Sequence, residues 1–92
     1  MSTRVGIVKT PEVLGGKPRI EGLRVGVLQV GDYVRGVGMD IETVMDELRL
    51  SREQVETALD YYDDHPDEME TLRAQREAAI QQVREQSRAP NA

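Results

Sequence analysis

His65, the one histidine of the chain, sits in the run Asp63-Asp64-His65-Pro66-Asp67-Glu68. An imidazole among carboxylates is a donor set that can hold a divalent cation. Carboxylates around a helix break point in several directions, however, and a metal site needs ligands that converge. The run is therefore expected to be a solvated helix end, with no metal. Nucleophilic catalysis has less to stand on. There is no cysteine, and Ser2, Ser51 and Ser87 have no histidine near them in sequence to act as a base. The glycines of VLGGKPRIEG lack the spacing of a phosphate loop and the Ser or Thr that follows one. The expectation is a protein that is not an enzyme and carries no cofactor.

Binding by charge is the chemistry these side chains do support. The net charge is -5 and the pI near 4.8, a balance that argues against strong nucleic-acid binding, because phosphate affinity comes mainly from Lys and Arg. The total hides three segments. Residues 1–38 carry +3, residues 39–70 carry -10 and residues 71–92 carry +2, and such asymmetry is more informative than the sum. In the basic N-terminal stretch GGKPRIEGLRVGV, Lys17, Arg19 and Arg24 are candidate DNA contacts, joined by Arg35 and Arg52 further on. Across the end of the acidic segment and into the last one, Met69, Leu72, Ile80 and Val83 form a thin apolar stripe with Arg73, Arg76 and Arg84 beside it, a candidate surface for a protein partner.

The elements that must position these groups follow from periodicity and punctuation. The β-branched RVGIVKT predicts a strand over Arg4–Thr10, ended by Pro11. A second strand is expected at Arg19–Ile20, a turn at Glu21-Gly22 and a third short strand at Leu23–Val25. Val27, Val30, Val34 and Val37 then recur at helical spacing up to a Gly38 C-cap. Asp40 is the N-cap of a second helix with Ile41, Val44, Met45 and Leu48 on one face. Ser51 and Gln54 form a capping box for a third, with Val55, Ala58, Leu59 and Tyr62 inward. His65-Pro66 ends it, and Asp67 opens a fourth helix whose thin stripe cannot bury it unaided. The fold class read from this pattern is mainly α with a short N-terminal β-arm: a three-helix, helix-turn-helix-like core over residues 1–66, then a C-terminal partner-binding helix and tail over 67–92. Arg52, Glu53, Glu56, Asp60, Asp63 and Asp64 on the third helix make it mostly acidic, unsuited to entering a DNA groove. With no signal-peptide pattern and no apolar run of membrane-spanning length, a soluble, cytoplasmic protein is expected.

VLGGKPRIEGLRVGV and LRLSREQVETALDYYDDHPDEM, in that order, resemble the domain of unknown function 433 family over roughly residues 11–70. In the arm, Gly15-Gly16, Lys17-Pro18-Arg19-Ile20, Gly22 and Arg24 match; in the last core helix, Val55, Ala58, Leu59, Tyr61, Tyr62, His65 and Pro66 do. Leu23 stands where the family commonly has threonine, and Gly26 where proline is frequent. The resemblance implies a homeodomain-like or winged-helix-like unit and a VapB-like antitoxin role. It also implies a PIN-like nuclease toxin as partner. On that reading the chain is a homodimer joined through the β-arm that binds operator DNA, while the C-terminal helix wraps the toxin. The alternative is a structural dimerisation or protein-interaction module without DNA binding.

Overall fold

The structure is a computed structural model and describes residues 6–87. The N-terminal arm is a small antiparallel pair, β1 (Ile7–Val8) and β2 (Arg19–Ile20), with Ile7 opposite Ile20 and Val8 opposite Arg19. Of the expected first strand, Ile7–Val8 is what forms among the described residues, and its Arg4 and Val5 lie outside them. Leu23–Val25 does not form a third strand. Leu23 N–H donates to the Ile20 carbonyl (3.0 Å), closing a turn in which Gly22 has a φ of 84°, a conformation that glycine reaches without steric cost. After this turn the chain enters a helix at Val27, which leaves room only for a bridge between Gly26 and Arg19.

Helix α1 (Val27–Gly31) runs straight into a π-helical turn over Asp32–Val37, capped by left-handed Gly38. The wider turn rotates later residues off the 3.6-residue stripe. Val27 and Val30 are buried as the pattern predicts, whereas Val37 is 72% exposed. Helix α2 (Ile41–Leu48) begins as expected at Asp40, whose side chain accepts from the Thr43 amide at 2.9 Å. Hydrogen bonds from Thr43 hold the Asp40 carboxyl below its usual range. Helix α3 (Arg52–Asp64) carries the full capping box: the Ser51 hydroxyl accepts from Gln54 N–H, and Gln54 Oε1 accepts from Ser51 N–H.

α3 is the centre of the packing. Val55, Ala58 and Leu59 are buried against Ile20, Val27, Val30, Val44 and Leu50. At Gly31 α1 leaves no room for a side chain beside α3. A Cβ there would lie 1.9 Å from Cδ2 of Tyr62, so the ring of Tyr62 packs directly on the α1 backbone. Helix α4 (Pro66–Ser87) starts one residue before the expected Asp67, with Pro66 in its first turn and the His65 carbonyl accepting from Met69 N–H. Proline suits that position because the amide it lacks is one that no helical carbonyl would take.

α4 has two unlike halves. Met69 and Leu72 are buried and complete the core. From Ala74 to Glu85 every residue is exposed. The radius of gyration, 15.5 Å, exceeds the roughly 12 Å of a compact chain this long, and the longest extent, 63 Å, is more than twice either of the others. α4 projects from the body.

Candidate protein-interaction site

The five candidate DNA contacts do not form one free basic face. Arg19 is a strut inside the arm. Its Nη1 donates to the Leu23 carbonyl (2.8 Å) and its Nη2 to Thr10 Oγ1 (3.0 Å), while its Nε is buried with no partner. Arg35 makes a two-pronged bond to Asp63, 3.2 Å from Nε and 2.6 Å from Nη2, which ties the π-turn to the end of α3. Arg52 pairs with Glu42 of α2 and lies 3.7 Å from Glu56. Lys17 and Arg24 are exposed and make no ion pair among the described residues. Arg52–Glu56 is an i,i+4 pair within one helix, but Arg35–Asp63 and Arg52–Glu42 join different elements, and no local pattern in the sequence marks those two.

The expected partner surface on α4 divides in the same way. Met69 and Leu72 are 1% and 7% exposed, so they are core residues and not free anchors. Arg73 is turned inward. Its guanidinium lies over the Tyr62 ring, 5.5 Å from the centroid, and bonds to the Tyr62 hydroxyl and to Asp32 Oδ1. Arg76 Nη2 reaches the other oxygen of Asp32 at 3.1 Å. Asp32 therefore fastens the base of the projecting helix to the π-turn that continues α1. Beyond it Ile80 (42% exposed), Val83 (62% exposed) and Arg84 have no cover. Arg88 lies outside the described residues.

A second clamp joins arm and helix. Glu68 accepts from the Tyr61 hydroxyl at 2.7 Å and pairs with Lys9 Nζ at 2.7 Å. Burial pushes the Glu68 carboxyl up, yet the bonds from Lys9 and Tyr61 outweigh it and hold the carboxyl below its usual range. Glu68 and Tyr61 in turn push Lys9 up. Tyr61 is thus engaged within the chain, and its ring stacks on His65 at 3.9 Å. The His65 imidazole Nδ1 faces the Tyr61 carbonyl at 3.0 Å. Among the described residues no three His, Asp or Glu side chains converge as metal ligands, and no helix is long and apolar enough to cross a membrane.

Two adjoining hollows separate the arm from α4. One, of about 530 Å³, lies between Leu14, Lys17 and Arg24 on the arm side and Leu28, Tyr33 and Arg76 on the other. The next, of about 350 Å³, runs from Lys17 along Arg76, Ala79, Ile80, Val83 and Arg84. Leu14, Leu28 and Tyr33 are not among the residues that the sequence pattern points to. The one signal it holds for Leu28 and Tyr33 is their position off the valine stripe of α1.

These features define a small, mainly helical protein with a two-stranded N-terminal arm, a packed helical body and one projecting helix. The sequence profile of a family described as protein of unknown function (DUF433) matches residues 7–62, and the chain belongs to that family. No curated protein and no solved structure matches it.

Proposed function

We propose that the chain is an antitoxin-type protein of a type II toxin–antitoxin pair, neutralising a PIN-like nuclease by direct protein–protein contact. The observation that carries this reading is the division of α4. Its first turns are built into the core, and its outer half presents Ile80 and Val83 to solvent on a continuous helix. A helix of this kind gains its stability from an apolar face laid against something, and an amphipathic helix in a groove is a recurrent mode of partner recognition. The toxin contact of this reading falls to Arg76, Ile80, Val83 and Arg84, with Met69, Leu72 and Arg73 holding the helix base in place. Of the five candidate contacts, Lys17 and Arg24 make no ion pair among the described residues, so operator binding on this reading uses a homodimer that pools them across a two-fold axis.

Co-expression tests the proposal. A PIN-like nuclease encoded beside this chain should arrest growth alone and be harmless with the wild-type protein. Ile80→Asp with Val83→Asp should restore the arrest without lowering the melting temperature. Rescue that is indifferent to this double change would refute the reading.

A further inference from the structure

Resting on that antitoxin-type reading, we infer that the partner's recognition element is an acidic amphipathic helix, seated in the trough between the β-arm and α4. Lys17 and Arg76 line both hollows, so the two form one open channel. Its floor is apolar at both ends, with Leu14, Leu28 and Tyr33 in one hollow and Ala79, Ile80 and Val83 in the other. Its rim is basic. Lys17, Arg24 and Arg84 have no ion pair among the described residues. Asp32, the acidic residue of the lining, is already occupied by Arg73 and Arg76. On a chain of net charge -5 this is a local reversal of sign, and it selects for carboxylates. Leu14 adds to the picture. It is held in a left-handed conformation with a φ of 52°, unusual for a side chain of its size.

Other occupants fit less well. Nucleic acid would meet the cations but bring no aliphatic groups to Ile80 and Val83. A second copy pairing groove to groove would set Lys17, Arg24 and Arg84 against their own counterparts. The acidic helices that a second copy could offer instead, α2 and α3, expose Glu42, Asp46 and Glu47 on one and Glu53, Glu56 and Asp60 on the other, and neither has an exposed aliphatic side chain, so the floor would stay wet. What matches both floor and rim is a different chain, with apolar residues along one helical face and carboxylates flanking them. Because Lys17 and Arg24 are also the cations left for DNA, that helix and DNA exclude one another on a given protomer.

The full chain is titrated with a fluorescent helical peptide carrying leucine along one face and glutamate along the other. The same peptide with lysine in place of glutamate and a DNA duplex serve as rival probes. The glutamate peptide should bind, and Lys17→Glu with Arg24→Glu should weaken it by about tenfold or more. Ile80→Ser with Val83→Ser should do the same. All four side chains are exposed, so the melting temperature should not move, and a loss of binding cannot be a loss of fold. Equal binding of the lysine peptide, indifference to either double change, or binding of duplex alone would overturn the inference. Nuclease rescue separates the two claims. Neutralisation that survives Lys17→Glu with Arg24→Glu removes the trough and leaves the antitoxin reading standing. Peptide binding with the expected variant pattern, beside no neutralisation, supports the trough and removes that reading.

Discussion

Replacing Gly31 with alanine should destabilise the protein, although the same change in most helices stabilises it by about 1 kcal/mol. The reason is Tyr62. The added Cβ would lie 1.9, 2.2 and 2.5 Å from three atoms of its ring. Carbon atoms rest about 3.5 Å or more apart, so the ring must retreat by roughly 1.5 Å or swing out of its seat. Retreat means overpacking, at about 1–3 kcal/mol. Swinging out loses part of an aromatic side chain's burial, about 2 kcal/mol, and the bond from Arg73, about 1 kcal/mol. After the helix-propensity gain is subtracted, the net loss is about 1 kcal/mol by retreat and about 2 kcal/mol by swinging out. For a chain of 92 residues that corresponds to a fall in melting temperature of about 4–16 °C. Thermal denaturation followed by circular dichroism measures it. A double-mutant cycle assigns the cause: in a Tyr62→Ala background the same Gly31→Ala change should be neutral or raise stability by up to about 1 kcal/mol. A single variant that melts at or above the wild type refutes the close packing of α1 on α3.

The two halves of α4 should respond oppositely to truncation. Met69→Ala or Leu72→Ala should each cost about 2–5 kcal/mol in urea unfolding, whereas Ile80→Ser or Val83→Ser should stay within about 0.5 kcal/mol. Loss of the α3 capping box through Ser51→Ala should cost about 1 kcal/mol in the same assay. Acid should loosen the arm clamp. The folded-state pKa of Glu68 is depressed below its ordinary 4.5, so its contribution is present above that value and lost as pH falls below it. Glu68→Gln should flatten that part of a melting-temperature profile. Lys9 and Tyr61 are both raised above their ordinary 10.5 and 10.0, so their contribution is present below about pH 10 and lost above it. A Glu68→Gln variant should lose part of that alkaline dependence too.

Features set by neighbours along the chain are legible in the sequence alone. Asp40, the Ser51–Gln54 box, Gly38 and the break at His65-Pro66 act within one turn of the backbone, and all of them are present in the fold. The third strand is absent because alternation in Leu23–Val25 carries no information about how little chain remains ahead of α1. Val37 leaves its stripe because periodicity assumes a constant turn, and the π-turn breaks it. By its sequence Gly31 is a weak point in a helix, since nothing local shows that Tyr62, 31 residues on, needs the space. On α4 the thin stripe is visible in the sequence, but its division into core and free halves depends on where α3 ends beneath it. The candidate cations are visible as residues and not as free or paired groups, because Arg35–Asp63 and Arg76–Asp32 are closed by tertiary folding.

That last difference bears on how a chain this acidic keeps a basic channel. Asp32 lies in the basic N-terminal segment and draws both Arg73 and Arg76 from the C-terminal one, so two regions of like charge are brought together by one half-buried carboxylate. Arg35 is drawn the other way, onto Asp63 of the acidic α3, and Arg52 of α3 is paired with Glu42 of α2. At the junction of arm and α4, Lys17, Arg24 and Arg84 have no ion pair among the described residues, and these three line the same trough. The acidic surplus stays on the exposed faces of α2 and α3, where it meets water. The separation of charge along the sequence thus becomes a separation in space, with Asp32 as its hinge. Asp32→Asn should release Arg76, leave the body folded through its buried residues, and lower the precision with which α4 is held over the trough. Because the change also removes the channel's one carboxylate, an acidic helix should gain in electrostatic attraction while it loses in preorganisation. The anchoring of α4 is the stronger effect on this reading, so affinity for the glutamate peptide should fall, and a rise would refute that ordering.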